Sequence, residues 1–261
     1  MHRDDSSAPG GGGGGWSARL YCARERPRWR RGGLMTLIHA VAHPGTPDDG
    51  GGAGALPTLI ALHGYGANAQ DLLGLSPYLA GGRLLMICPQ APLPIQPGFY
   101  GFNWHAFSGP EGRGSPEVVE AANAMVSEFV DFALEAYPVD RDRVALLGFS
   151  QGGGMAYRLG FSEPERFVGL AALSTSLPDD VFADGETPRE AVHALPLLIQ
   201  HGASDASVSV DKGRASRDRL AGLGLLPDYR EYPMAHEVGA HSARDLSQWL
   251  DRVLGLGGTG A

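Results

Sequence analysis

The 261-residue sequence predicts one α/β domain, with a mostly parallel central sheet and helices on both faces. Two observations carry that prediction. Five short segments are apolar almost without interruption, as strands covered on both faces are, whereas a half-exposed antiparallel strand alternates. Helix-length stretches separate them, which is the order of parallel β-α-β units. With 43% hydrophobic residues, the chain can bury one sizeable core without dividing into two domains.

Taken in order, residues 1–34 stand apart. They hold a six-glycine run, seven arginines against three acids and no apolar period, so they cannot support packing of their own. They also lack the apolar stretch of a secretory signal. The expectation is an extension over 1–34, with Met35 as an alternative start, and a folded domain over 35–257. "MTLIHAV" (35–41) reads as a weak strand suited to a sheet edge. "PTLIALHG" (57–64) and "RLLMICPQ" (83–90) are the first buried strands. A helix follows over 115–138: Ser115 stands at the cap, Pro116 suits the first turn, and Val119, Ala122, Val126, Phe129, Val130 and Ala133 share one face. "RVALLGFS" (143–150), "FVGLAALS" (167–174) and "LPLLIQHG" (195–202) complete the buried strands, and "PDYREYP" (227–233) is a second edge candidate. Further helices are predicted over 151–161, 210–223 and 240–254.

Composition removes several function classes. The net charge is −8, and the residues after 34 alone carry −12 with no basic stripe, which argues against nucleic acid as a partner. No run of about 18 apolar residues exists, so no membrane span is predicted. The two cysteines, Cys22 and Cys88, are too few for a disulfide framework, and Cys88 ends an apolar run as a buried thiol would. A reducing, cytoplasmic setting fits this usage. The pair of histidines in "HEVGAH" (236–241) is one residue too widely spaced for a zinc helix; its rings would point about 140° apart. No metal or cofactor is expected, and a homodimer stays open.

The informative stretch is "VALLGFSQGGGMAY" (144–157), in which Gly148 and Gly152 flank Ser150. With 39 glycines and 17 serines, roughly 0.4 such matches arise by accident. Context therefore decides. Ser150 ends a strand and opens a helix, a turn so sharp that a Cβ at either flanking position would collide with strand or helix. Such a serine stands at the carboxyl end of the sheet, where open α/β folds place reactive groups, and at a positive helix end. A hydroxyl needs a base to take its proton and a third group to orient that base. The chain order for this arrangement is serine, acid, histidine. Asp205, just beyond the strand 195–202, is the acid candidate; Asp211 and Asp228 suit a helix start and a strand entry instead. His236, between the last strand and the last helix, is the base candidate, ahead of His241 near the helix start. His201 reads as a packing residue. The oxyanion formed in acyl transfer needs two donors, and the backbone N–H groups of Gln151 and Tyr65 are the candidates, the latter in the His63-Gly64-Tyr65-Gly66 turn.

The segments "LHGYGANAQDL", "GFSQGGGMAY", "HGASDASVSVDKGR" and "YPMAHEV" resemble the phospholipase/carboxylesterase family of α/β-hydrolases, which includes acyl-protein thioesterases and small bacterial carboxylesterases. The resemblance implies the α/β-hydrolase fold, a triad of Ser150, Asp205 and His236, an oxyanion hole at Tyr65 and Gln151, and cofactor-free hydrolysis of esters and thioesters. Two departures bear on substrate. "DASV" stands where many members have Asp-Pro-Val, and "HGYGAN" where the thioesterase branch carries "HGLGD". The second leans toward a carboxylesterase of short to medium acyl chains, with lysophospholipase or acyl-protein thioesterase as the alternative. A non-enzymatic binding role on this fold would be marked by loss of a triad residue, and none is lost.

Two segments are candidates for the pocket. In 89–116, rich in proline and aromatics, Trp104, Phe107 and Phe102 are expected to wall the substrate site. The acid- and turn-rich segment 174–195 is expected to cover part of it.

Overall fold

The computed structural model describes residues 18–19, 37–44, 54–106, 114–182 and 186–257. Strands β1 (Ala18–Arg19), β2 (His39–Ala42), β3 (Leu56–Leu62), β4 (Leu85–Pro89), β5 (Leu93–Pro94) and β6 (Phe102–Asn103) precede the first α-helix. Then α1 (Pro116–Ala136), β7 (Val139–Phe149), α2 (Gln151–Ser162), β8 (Gly169–Leu173), α3 (Glu190–His193), β9 (Leu197–Gly202), α4 (Val210–Gly222), β10 (Asp228–Tyr232) and α5 (Ala240–Val253) alternate.

The strands form one sheet in the order β1-β2-β4-β3-β7-β8-β9-β10, with β5 and β6 paired apart as a short hairpin. From β4 to β10 every pairing is parallel, and β2 joins β4 antiparallel. β10 is an edge strand, as its mixed pattern suggests. β2 is not: the two-residue β1, inside the 1–34 segment, pairs antiparallel outside it. The other residues of 1–34, Cys22 among them, and Met35 lie outside the described residues.

Side-chain alternation along the buried strands divides the core into two layers. Ile60, Leu62, Leu85, Ile87, Val144, Leu146, Leu170 and Ile199 point to the side that α1 and α2 cover. Leu59, Ala61, Met86, Cys88, Ala145, Leu147, Ala171 and Leu198 point to the side covered by α5 and the 3₁₀ turn Leu73–Tyr78. Both sets are buried, so these strands show no polar phase. Each fully buried Leu or Ile contributes about 1.5–3 kcal/mol relative to exposure. On α1 the six residues of the predicted apolar face are the buried ones, and Pro116 occupies the first turn after Ser115.

Cys88 is 1% exposed, and burial pushes its thiol well above the ordinary range. It is therefore expected to resist iodoacetamide in the folded protein and to react once urea unfolds it, read by peptide mapping of that cysteine alone. Alkylation under native conditions at the rate of a free thiol would contradict its place between the layers. Among the described residues no helix is long and apolar enough to cross a membrane.

Candidate active site

β7 passes into α2 with Ser150 as the single residue between them, at φ 53° and ψ −119°. That conformation costs a non-glycine residue about 1–3 kcal/mol and persists only where its surroundings impose it. Here the Ser150 N–H donates to Leu173 O at 2.9 Å, and its carbonyl accepts from Gly153 N at 2.9 Å. A Cβ on Gly148 would overlap the Gly152 carbonyl, and one on Gly152 would overlap the carbonyl oxygens of Leu62 and His63. The two glycines thus permit backbone-to-backbone contact between the turn, α2 and the end of β3.

Three side chains from separate loops meet at this turn. His236, between β10 and α5, stands with Nε2 3.0 Å from Ser150 Oγ and Nδ1 2.7 Å from Asp205 Oδ2. These partners require Nδ1–H to donate to the carboxylate, leaving Nε2 to accept the serine proton. Phe149 packs on the imidazole with ring centroids 4.8 Å apart. Asp205 is 7% exposed, and its Oδ1 accepts from Ser207 N at 2.9 Å and Val208 N at 2.8 Å. Burial alone would raise its pKa, but the bonds from His236 and these amides outweigh it and hold the carboxyl below its ordinary value. It stays ionised where an imidazole titrates. An alcohol, imidazole and carboxylate so joined can move a proton off the alcohol and stabilise the imidazolium that forms.

The neighbouring histidines serve elsewhere. His201 is fully buried and donates through Nε2 to Val208 O at 2.8 Å, bracing the turn that carries Asp205. His241 is exposed and meets Arg244 at 3.3 Å. Asp211 opens α4, with its N–H on Ser209 Oγ, and Asp228 enters β10 paired with Arg230 at 2.8 Å.

Gln151 begins α2, so its N–H is among the donors a helix leaves without an internal acceptor. Tyr65 follows β3 in a turn closed by Ala67 N to Gly64 O at 3.3 Å, with Gly66 at φ 81°. A Cβ on Gly64 would stand 3.2 Å from that of Ser150, so this turn lies directly against the serine. His63 holds the turn from inside, donating from Nδ1 to Gly64 O at 2.7 Å and accepting from Ala91 N at 3.0 Å.

The expected aromatic wall is corrected at Trp104 and Phe102. Trp104 is 1% exposed and is not among the described residues that line the cavity beside Ser150; its indole N–H donates to His63 O at 2.8 Å. A large ring with one polar atom gains most where the ring is buried and that atom finds a carbonyl, and the interior beneath the Gly64–Tyr65 turn offers both. Phe102 is half-buried in β6 and exchanges backbone bonds with Gly66 and Ala67, also away from the cavity. Phe107 lies outside the described residues. What the residue types alone did not reveal is the Gln151 side chain: Oε1 accepts from Trp104 N and Nε2 donates to His105 O, both at 3.0 Å. It ties the loop before α1 to the helix after Ser150.

A cavity of about 620 Å3 opens beside Ser150, with Tyr65, Gln151 and His236 at the same end. Met155, Val119 and Pro178 supply apolar surface, while Arg158, Asp179, Asp180 and Lys212 supply charge. Segment 174–195 does form part of the wall, through Thr175, Ser176 and Pro178. The helical spacing of Gln151, Gly154, Met155 and Arg158 puts them on one face, a signal by which this wall of α2 could have been found.

Comparison with known proteins follows the same line. The family model described as phospholipase/carboxylesterase matches residues 51–254. Acyl-protein thioesterase 1 of Gibberella zeae is 31% identical over 115 residues, 43% of this chain and 49% of that protein, so the chain spans about half the length of this relative. Acyl-protein thioesterase 1 of Mycosarcoma maydis is 26% identical over 220 residues, covering 76% of this chain and 91% of that protein. Among solved structures, a carboxylesterase from Mesorhizobium loti superposes with a TM-score of 0.67 at 22% identity, over 82% of this chain and 94% of that one. That last likeness is one of fold.

Proposed function

The chain belongs to the phospholipase/carboxylesterase family, and from that premise we propose that it is a serine carboxylesterase acting on esters of short to medium acyl chains. The observation that carries this reading is the hydrogen-bonded series Ser150, His236 and Asp205 at the mouth of a cavity. His236 takes the Ser150 proton as Oγ attacks the ester carbonyl. The oxyanion is received by the N–H groups of Tyr65 and Gln151; each such donor is worth about a hundred- to a thousandfold in rate. The alcohol leaves with the proton from His236, and a water then repeats the sequence on the acyl-enzyme to release the acid. Asp205 holds the imidazole tautomer and stabilises its cation. No cofactor enters these steps. A buried free thiol at Cys88 fits a reducing, cytoplasmic setting.

The charged groups on the cavity wall favour a short or polar substrate over a long alkyl chain, because an alkyl chain laid across them would desolvate charge without replacing its hydration. The acyl-protein thioesterase alternative is favoured by the names of the relatives. Hydrolysis of p-nitrophenyl esters from acetate to palmitate separates the two. The expected optimum lies at short chains, with kcat/KM falling toward palmitate. An optimum at palmitate would move the substrate to lysophospholipids or acylated proteins, and no hydrolysis at any length would overturn the esterase reading.

A further inference from the structure

The chain contains twenty arginines and a single lysine, Lys212. Among the described residues from 37 to 257, arginines pair with a carboxylate or donate to a carbonyl: Arg83 with Asp251, Arg166 with Asp131, Arg189 with Glu165, Arg214 with Glu231, Arg230 with Asp228, Arg244 with Asp245, Arg252 with Asp228 and Arg219 to Pro178 O, for example. The Lys212 ammonium is the exception, with no acceptor among the described residues, and it lies on the wall of the cavity that holds Ser150.

Its position is built. Lys212 sits in the first turn of α4, its N–H on Ser209 O at 2.9 Å. Its carbonyl accepts from Ser216 Oγ at 2.7 Å, and that hydroxyl in turn accepts from Leu177 N at 2.8 Å, so the lysine is tied to the Thr175–Pro178 wall. The charges around it can be followed one by one. Arg158 and Asp180 face the cavity as a two-bond pair at 2.5 and 2.6 Å and match each other. Asp179 is the other acid on the lining. Thr175, Ser176 and Ser207 also line this cavity.

We propose that Lys212 is a specificity-determining residue: its ammonium receives an oxyanion group carried by the substrate away from the scissile bond, so the preferred esters are anionic. This rests on the proposed esterase reading. An ammonium is a compact point charge that fits carboxylate or phosphate without demanding the two-pronged geometry of a guanidinium. Asp179 opposes such a group across the same wall, which makes the two side chains opposite in their expected effects.

The test measures kcat/KM for matched pairs: p-nitrophenyl hemiglutarate against p-nitrophenyl pentanoate for an acyl-side carboxylate, and the butyrate ester of glycerol phosphate against monobutyrin for an alcohol-side phosphate. The expected anionic-to-neutral ratio falls about three- to tenfold in Lys212→Met in one of the two arms, which identifies the anion's source. Lys212→Arg keeps most of the ratio, Asp179→Asn raises it, and salt lowers it in the wild type as the Debye length shrinks from about 30 Å at 0.01 M to about 3 Å at 1 M. A ratio untouched by Lys212→Met in both arms, or lowered equally by Lys212→Arg, overturns the proposal. The outcomes also separate the two readings. Hydrolysis of neutral esters that depends on Ser150 but shows no Lys212-dependent ratio sinks this inference alone, whereas absence of all hydrolysis removes the esterase reading and this one with it.

Discussion

Replacing Ser150 by alanine is expected to lower kcat on p-nitrophenyl butyrate by at least about a thousandfold while leaving the fold intact. The loss follows from the geometry: without Oγ, His236 Nε2 has no proton to take and the carbonyl no attacking atom, while the Tyr65 and Gln151 amides still polarise a bound ester. The residual rate should come from those donors alone. For that reason the double variant Ser150→Ala with His236→Ala should be no slower than either single variant, because groups that act as one unit lose their effect once. Stability is expected to change little. Alanine keeps the Cβ that makes φ 53° unfavourable, so the strain is common to both proteins, and the hydrogen bond lost goes to an imidazole with 24% of its side chain exposed. Such a bond contributes about 0.5–1.5 kcal/mol. The measurement is steady-state hydrolysis beside a thermal melt. Retention of more than a few per cent of the rate in a folded variant would remove Ser150 as the nucleophile.

The legible and illegible parts of this molecule differ by how far apart their causes lie in the chain. β3, β4, β8 and β9 are readable because burial on both faces removes polar residues from consecutive positions, a cause that acts within each segment. α1 is readable because one face is buried along its length, so Val119 to Ala133 recur at helical spacing. Ser150 is readable because strand, turn and helix must fit within a few residues, and Gly148 and Gly152 record that fit. The meeting of Ser150, His236 and Asp205 is accessible through chain order and strand ends, although their contacts cross 86 and 31 residues. Trp104 is a different case. Whether a loop aromatic walls a cavity or plugs the space beneath a turn depends on where His63 O lies, and nothing near residue 104 reports that. The charged wall is likewise assembled from α2, α4 and the segment after β8, each of whose residues is an ordinary surface charge when taken alone. β1 escapes for a simpler reason: two residues with no apolar pattern leave no period to read.

Replacing Gly152 by alanine is expected to destabilise the protein by about 1–3 kcal/mol or more, whereas the same change two residues on, at Gly154, should stabilise it by up to about 1 kcal/mol. Both positions are in α2, and in both the substitution gains helix propensity. The difference is what the added methyl meets. At Gly154 the nearest atom is Pro178 Cγ at 3.8 Å, an ordinary contact, so the propensity gain stands unopposed. At Gly152 the methyl overlaps the carbonyl oxygens of Leu62 and His63, which are backbone at and just beyond the end of β3 and cannot rotate aside as a side chain would. The helix must then withdraw from β3, and because Ser150 caps that helix and Gln151 begins it, the proposed nucleophile and one proposed oxyanion donor move with it. Gly152→Ala should therefore lose activity in its folded fraction as well as stability. Urea unfolding midpoints of the two variants against the wild type provide the measurement. Opposite shifts support the backbone contact between α2 and β3. A Gly152→Ala midpoint equal to that of the wild type would mean that the turn is looser than described, and the alignment of Ser150 with His236 would then need a support other than the flanking glycines.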